Sequence, residues 1–240
     1  MTSKPSSQMA QITGEETTDP RWKGLYKASG AAAIALLLSI PIQIIIFIAW
    51  PPPSTVEGFF TVFQNNWFLG LLNLDLLYML TNVLMILIFL GLYAALRQVS
   101  QSYMAIGLTL SLVGIAVYFA SNTAFEMLSL SGQYAAATTD AQRAMFLGAG
   151  QVMLEIYQGT AFALYYILTA VALLIFSAVM LRSNIFSKVT AYVGILMGVL
   201  MLVPSTAGTI GLYFALISLA PTAIWFILIA RRLFRLGQPG

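Results

Sequence analysis

Asp75, Tyr78 and Asn82 fall at i, i+3 and i+7, so on a helix they share one face of an otherwise apolar stretch. Asn122 and Glu126 are four apart and also share a face. Gln151, Glu155 and Gln158 follow the same periodicity and lead on to Thr160, Tyr165 and Tyr166, while Gln43 stands in another apolar run. Carboxylates, amides and phenols at helical spacing can hold a small ligand through charge and hydrogen bonds. They favour a cation, a protonated amine or a lipid headgroup over an anion. Oxygen-only donors suit calcium or magnesium rather than transition metals. No ligand-loop spacing marks a metal site, however, and we expect neither metal nor cofactor.

Much other chemistry is excluded by composition. The chain has no histidine and no cysteine. Zinc sites with nitrogen or sulfur ligands, thiol redox chemistry, His-ligated haem and nucleophiles that rely on a His base are therefore ruled out. The four lysines lie outside the apolar runs or at their ends, which removes a retinal Schiff base. Intramembrane aspartyl proteolysis needs two aspartates at depth, and only Asp75 is placed there. No P-loop or GxGxxG occurs, and an enzyme is not expected.

The elements that must position these groups are apolar and long. Of 240 residues only 8% are charged, against roughly a quarter in soluble domains. Apolar runs cover 28–49, 74–96, 104–128, 157–181, 186–203 and 207–230. Most exceed the ~20 residues that a helix needs to cross a ~30 Å hydrocarbon layer, where the backbone must satisfy itself. The expected fold class is all-α: a polytopic bundle of six transmembrane helices with two short external interfacial helices. The fifth run is the shortest and the weakest of the six.

Charge gives an orientation. Ten of the eleven basic residues (all but Arg143) fall on one side when the runs alternate across a membrane. The excess of Lys and Arg in cytoplasmic segments then puts both termini in the cytoplasm of a cell-membrane protein. The positive balance reflects that orientation, not a nucleic-acid surface. Opposite lie Glu57, Asp75, Glu126, Asp140 and Glu155, so an outward-facing cavity would be acidic. Residues 1–27 read as a flexible cytoplasmic tail, 28–230 as the transmembrane domain, and 231–240 as a second cytoplasmic tail. The first run, ending at Trp50 and three prolines, reads as an uncleaved anchor.

Two long connections carry helix signals of their own. Ser54 and Glu57 have capping-box spacing, and Phe59, Phe60, Phe63 and Trp67 follow as a helical stripe. That stripe fits a helix lying in the outer interface, and equally a lid packed on the bundle. Thr139 and Gln142 repeat the capping spacing. A helix from there to Leu181 would be twice too long for a membrane, which calls for a break near Gly148 and Gly150 or at Gly159. Gly194 with Gly198, and Gly107 with Ser111, mark close helix packing, within the bundle or between copies. Pro41 and Pro221 should kink the first and last spans.

Two readings of the polar residues remain open at this stage. The carboxylates sit at span ends in headgroup water while the amides bridge helices, or the outer halves of the first four spans enclose a polar cavity. The second reading assigns Asp75, Tyr78, Asn82, Asn122, Glu126, Glu155 and Gln158 to a ligand site and requires the three carboxylates to face one another. The pieces around Asn73, Leu74 and Asp75, around Ser121, Asn122, Thr123 and Glu126, and the stretches at 158–162 and 190–195 resemble a family of bacterial integral membrane proteins known only as a domain of unknown function. The resemblance implies a multi-span helical protein and supplies no activity. The function expected is structural, sensory or accessory, with a small ligand or lipid headgroup bound from outside; the alternative is a small transporter of a cation or amine that uses carboxylate proton exchange.

Overall fold

A computed structural model describes residues 20–238, and among these the only regular structure is helical. A short 3-10 turn, Pro20–Trp22, leads into ten α-helical segments. Five helices are long and apolar enough to cross a membrane: Lys23–Ala49, Leu76–Leu96, Gln101–Ala136, Asp140–Leu181 and Gly208–Leu236. Two of these rods are interrupted. The segments are α1 (Lys23–Ala49), α2 (Val56–Asn65), α3 (Trp67–Asn73), α4 (Leu76–Leu96), α5 (Gln101–Ser121), α6 (Ala124–Ala136), α7 (Asp140–Tyr157), α8 (Thr160–Leu181), α9 (Lys188–Leu200) and α10 (Gly208–Leu236).

The expected fifth span is corrected. Within 186–203 only the 13 residues of α9 are helical, about 20 Å at 1.5 Å per residue, which is too short to cross alone. Ser187 starts the helix by accepting from the Thr190 amide (3.1 Å), and the chain turns through Met201–Pro204 before α10. Helix also extends beyond the expected domain bounds at 27 and 231. Lys23 to Lys27 already belong to α1, and α10 continues through Arg231, Arg232 and Arg235. Residues 1–19, with most of the expected flexible tail and Lys4, lie outside the described residues.

Six helices form a closed ring in the order α1, α4, α5, α8, α9, α10, with α10 packing back on α1 and a light contact of α4 with α8 across the middle. Small residues set the spacing. A Cβ on Gly194 would meet Ser177 Oγ and Trp225 Nε1, and one on Gly198 would meet Leu174. The GxxxG pair therefore works inside the bundle, letting α9 approach α8 and α10. Large rings fill the centre, including Phe89 stacked on Phe176 with centroids 5.4 Å apart.

The remaining helices, α2, α3, α6 and α7, pack on one another as a cap with a separate core. Here the aromatic stripe finds its place. Phe59, Phe60 and Phe63 are buried against Leu71, Leu74 and Met127, so α2 is a packed part of the protein and not an isolated interfacial helix. Only Trp67 of that stripe is exposed. Caps differ slightly from expectation. Thr55, not Ser54, accepts from the Gly58 amide, while Thr139 caps α7 at Gln142 as its spacing implied. The long rod breaks at Gln158 and Gly159, the later of the two expected places.

Charge is segregated along this architecture. The Arg97 guanidinium lies 5.1 Å from the Trp22 ring centroid, Gly30 packs on Phe234, and the Lys188 ammonium donates to the Leu181 carbonyl. The start of α1 and the ends of α4, α8 and α10 therefore share one end, with every described basic residue but Arg143. All described acidic residues lie on the cap or at its junction with the ring.

Candidate functional site

The chain passes between cap and ring at three interrupted places: Leu74 and Asp75 between α3 and α4, Asn122 and Thr123 between α5 and α6, and Gln158 and Gly159 between α7 and α8. Side chains tie these places together. Asn122 Nδ2 donates to the Leu74 carbonyl (2.9 Å), and its Oδ1 accepts from the Ala124 amide (3.1 Å). Thr123 Oγ1 donates to the Met153 carbonyl on α7 (3.1 Å). The Tyr157 hydroxyl donates to Asp75 Oδ2 (2.5 Å).

Asp75 is the only non-glycine residue among those described with positive φ (65°). That left-handed corner most often carries Gly or Asn, and Asp tolerates it because its short polar side chain can bond locally. The carboxylate stands just outside α4. Burial pushes it up to about 6, while the hydrogen bond from Tyr157 pulls it back down.

One turn into α4, the Tyr78 hydroxyl meets that of Tyr165 on α8 at 2.9 Å. Tyr118 packs edge-on against Tyr78 with centroids 5.2 Å apart. Beneath this layer of phenols lies a cavity of about 260 Å³, bounded by α1, α4, α8, α9 and α10. Leu36, Met85, Leu173, Met197 and Phe226 make much of its wall. Its polar wall is Gln43, Tyr78, Asn82, Tyr165, Tyr166 and Thr169, with hydroxyls of Ser39, Thr81, Ser218 and Thr222.

Several of these polar atoms lack a partner. Both amide atoms of Gln43, Asn82 Oδ1 and Thr169 Oγ1 are buried and have no hydrogen-bond partner among the described residues. Asn82 uses its Nδ2 on the Tyr78 carbonyl (3.0 Å) and lies beside the Tyr165 phenol. Asn82 and Thr169 are 1% and 2% exposed, so bulk water does not serve them. A buried polar group without a partner costs about 1–3 kcal/mol, and buried polar atoms rarely go unpaired. Three of these atoms belong to Gln43 and Asn82, which line the cavity, whereas Thr169 Oγ1 faces Gly114 on α5.

The expected site residues divide into three groups. Tyr78 and Asn82 line the cavity. Asp75 and Asn122 belong to the junction above it. Glu126, Glu155 and Gln158 are exposed and do not line it, and Glu155 accepts from Gln151 Nε2 at 2.9 Å on the outer face of α7. The wall of this cavity holds no charged side chain, so it is not a cavity lined by Asp75, Glu126 and Glu155.

Sequence reasoning singled out Gln43, Tyr165 and Tyr166 without assigning them, and missed Thr169 and the whole wall from α9 and α10. One signal was present in the sequence: Thr169 is four residues beyond Tyr165, on the same face of α8. No family model, no curated protein and no solved structure matches this chain, so its own geometry must carry the functional reading.

Proposed function

We propose that this chain is a multi-pass cell-membrane protein of the sensory or accessory kind, which binds a small ligand within its helix ring. The observation that carries the reading is a single cavity lined by Gln43 and Asn82, each with an unpartnered buried polar atom, beside a wall of phenols and hydroxyls. A ligand that bonds these atoms removes a desolvation cost that the unliganded protein bears. The described basic residues gather at the end opposite the cap, which supports a cytoplasmic basic end and an external cap.

Transport is supported less well. The carboxylate required for proton exchange is not on the cavity wall. Toward the basic end, Leu173, Met197 and Phe226 close the cavity, and the next unpartnered polar groups are Ser177 Oγ and Trp225 Nε1 beyond them.

The test is native mass spectrometry of protein purified in lipid nanodiscs, beside its Asn82→Leu and Thr169→Val variants. A co-purifying molecule present in the native protein and depleted in both folded variants is expected. A native protein that carries nothing these substitutions remove, and that no small molecule stabilises against heat, defeats the reading. Orientation is tested separately. The chain has no cysteine, so Gln98→Cys and Gln133→Cys can be labelled without background. Gln133→Cys should react in whole cells and Gln98→Cys only after permeabilisation.

A further inference from the structure

Resting on the reading of the cavity as a binding site, we infer that its ligand is a neutral amphiphile, one group that both donates and accepts hydrogen bonds on an apolar body, reaching the cavity from the bilayer through the wall of α1 and α10. The acid-rich cap suggested a cation or amine, and the cavity argues against both. No Asp, Glu, Lys or Arg is among its lining residues, and the nearest junction carboxylate, Asp75, is engaged by Tyr157. A cation placed there would give up its hydration with no counter-charge to meet it.

The unpartnered atoms specify the polar group. Asn82 Oδ1 and Gln43 Oε1 accept, Gln43 Nε2 donates, and the lining hydroxyls of Tyr166 and Thr222 do either. A hydroxyl or a carboxamide satisfies such a set, whereas a carboxylate can only accept. The other wall specifies the body. Met85, Met197 and Met201 with Leu36 and Leu173 offer flexible, polarisable apolar surface that adapts to a chain or ring. The volume of about 260 Å³ exceeds the ~150 Å³ at which an engineered apolar cavity takes up benzene.

Access follows from α1 and α10. Pro41 sits between the lining residues Ile40 and Gln43, and Pro221 between Leu219 and Thr222. Each proline lacks an amide hydrogen, so the Leu37 and Ile217 carbonyls lose their usual helical donors at the height of the cavity. Both helices are weakest where they bound it. Ile44 lines the cavity and is 41% exposed, so the α1 wall is not sealed by protein there.

The probes are four ten-carbon compounds: 1-decanol, decanamide, decylamine and decanoate. Binding to nanodisc-embedded protein at pH 7 is read by thermal shift and titration. Decanol and decanamide should bind at least tenfold more tightly than decylamine and decanoate, and lose at least tenfold in Asn82→Leu or Thr169→Val; either variant that folds is sufficient. Decylamine binding as tightly as decanol, and weakened by Asp75→Asn, would overturn the neutral ligand while leaving the cavity as a binding site. If no probe binds in a way that either cavity variant alters, the binding reading falls and this inference with it. Ile44→Trp should slow decanol association several-fold. Unaltered association would remove the route through α1.

Discussion

The cap and the ring differ in how fully their buried polar groups are paired. In the cap and its junctions, buried polar side chains bond across helices: Ser131 Oγ to the Phe60 carbonyl (3.0 Å), Thr123 to Met153, Asn122 to Leu74 and Tyr157 to Asp75. The Asn73 carbonyl is the exception. In the ring, Ser29 and the Tyr78–Tyr165 pair also bond across helices, but Gln43 and Asn82 leave polar atoms unpartnered at the cavity, and Tyr118, Thr169, Ser177 and Trp225 do so between packed helices. The same residue types therefore serve two ends. Satisfied, they fix how helices meet; unsatisfied and collected, they define where a ligand would bond.

The largest expected effect tests whether the cap is a unit with its own core. Phe60 is fully buried there, its ring 5.3 Å from that of Tyr134. Phe60→Ala should cost about 3–5 kcal/mol. Limited proteolysis should then cut the cap of the variant while the ring helices stay protected. Simultaneous loss of both regions would show that the cap has no stability of its own and would erase the distinction.

Much of the ring was legible in the sequence because lipid demands long apolar runs, and charge asymmetry orders them. The short α9 was less so. A 13-residue helix is tolerated between α8 and α10 because neighbours, not length, cover it, and hydropathy reads only length. The cap was half legible. Phe59, Phe60 and Phe63 announced a helix with an apolar face, but a periodic stripe does not say whether lipid or protein covers it. At the site, Tyr78 and Asn82 stood out because amides and phenols are rare in such runs. Thr169, Ser218, Thr222, Met197 and Met201 did not, because the same residues are ordinary packing in membrane helices. Glu126 and Glu155 stood out by their charge, and the structure leaves both exposed and off the cavity wall.

One substitution at two positions sharpens the contrast. Asn122→Leu strips two backbone groups of their partners at the junction and should cost about 2–4 kcal/mol in thermal or denaturant unfolding. Asn82→Leu loses a bond to a carbonyl four residues back in its own helix and its contact with the Tyr165 phenol, and removes an unpartnered oxygen. Its stability should change by no more than about 1 kcal/mol. Equal losses at both positions would mean that Asn82 is structural and that the cavity has no reserved hydrogen-bonding capacity.

Asp75 should make stability depend on pH. Its carboxyl ionises at about 6 in the folded protein against an ordinary 3.8, so the fold favours the protonated form. The contribution is fullest below pH 3.8, declines as pH rises towards 6 and levels off above. The whole change is at most about 3 kcal/mol. Asp75→Asn keeps a residue that tolerates the left-handed corner and should flatten the thermal midpoint across that window relative to the native chain. An unchanged slope in the variant would assign the pH dependence to another group.

The smallest effects are expected where the sequence looked most acidic. Glu126 and Glu155 are exposed, and Glu155 bonds only Gln151 on its own helix. Glu126→Gln and Glu155→Gln should shift stability by less than about 0.5 kcal/mol, the usual range for surface changes. They should also leave decanol affinity unaltered, because the cavity wall holds neither residue. The measurement matters despite its small size. A tenfold loss of binding in either variant would place the cap's carboxylates in the recognition step, and the division between a cap that joins helices and a ring that holds ligand would no longer stand.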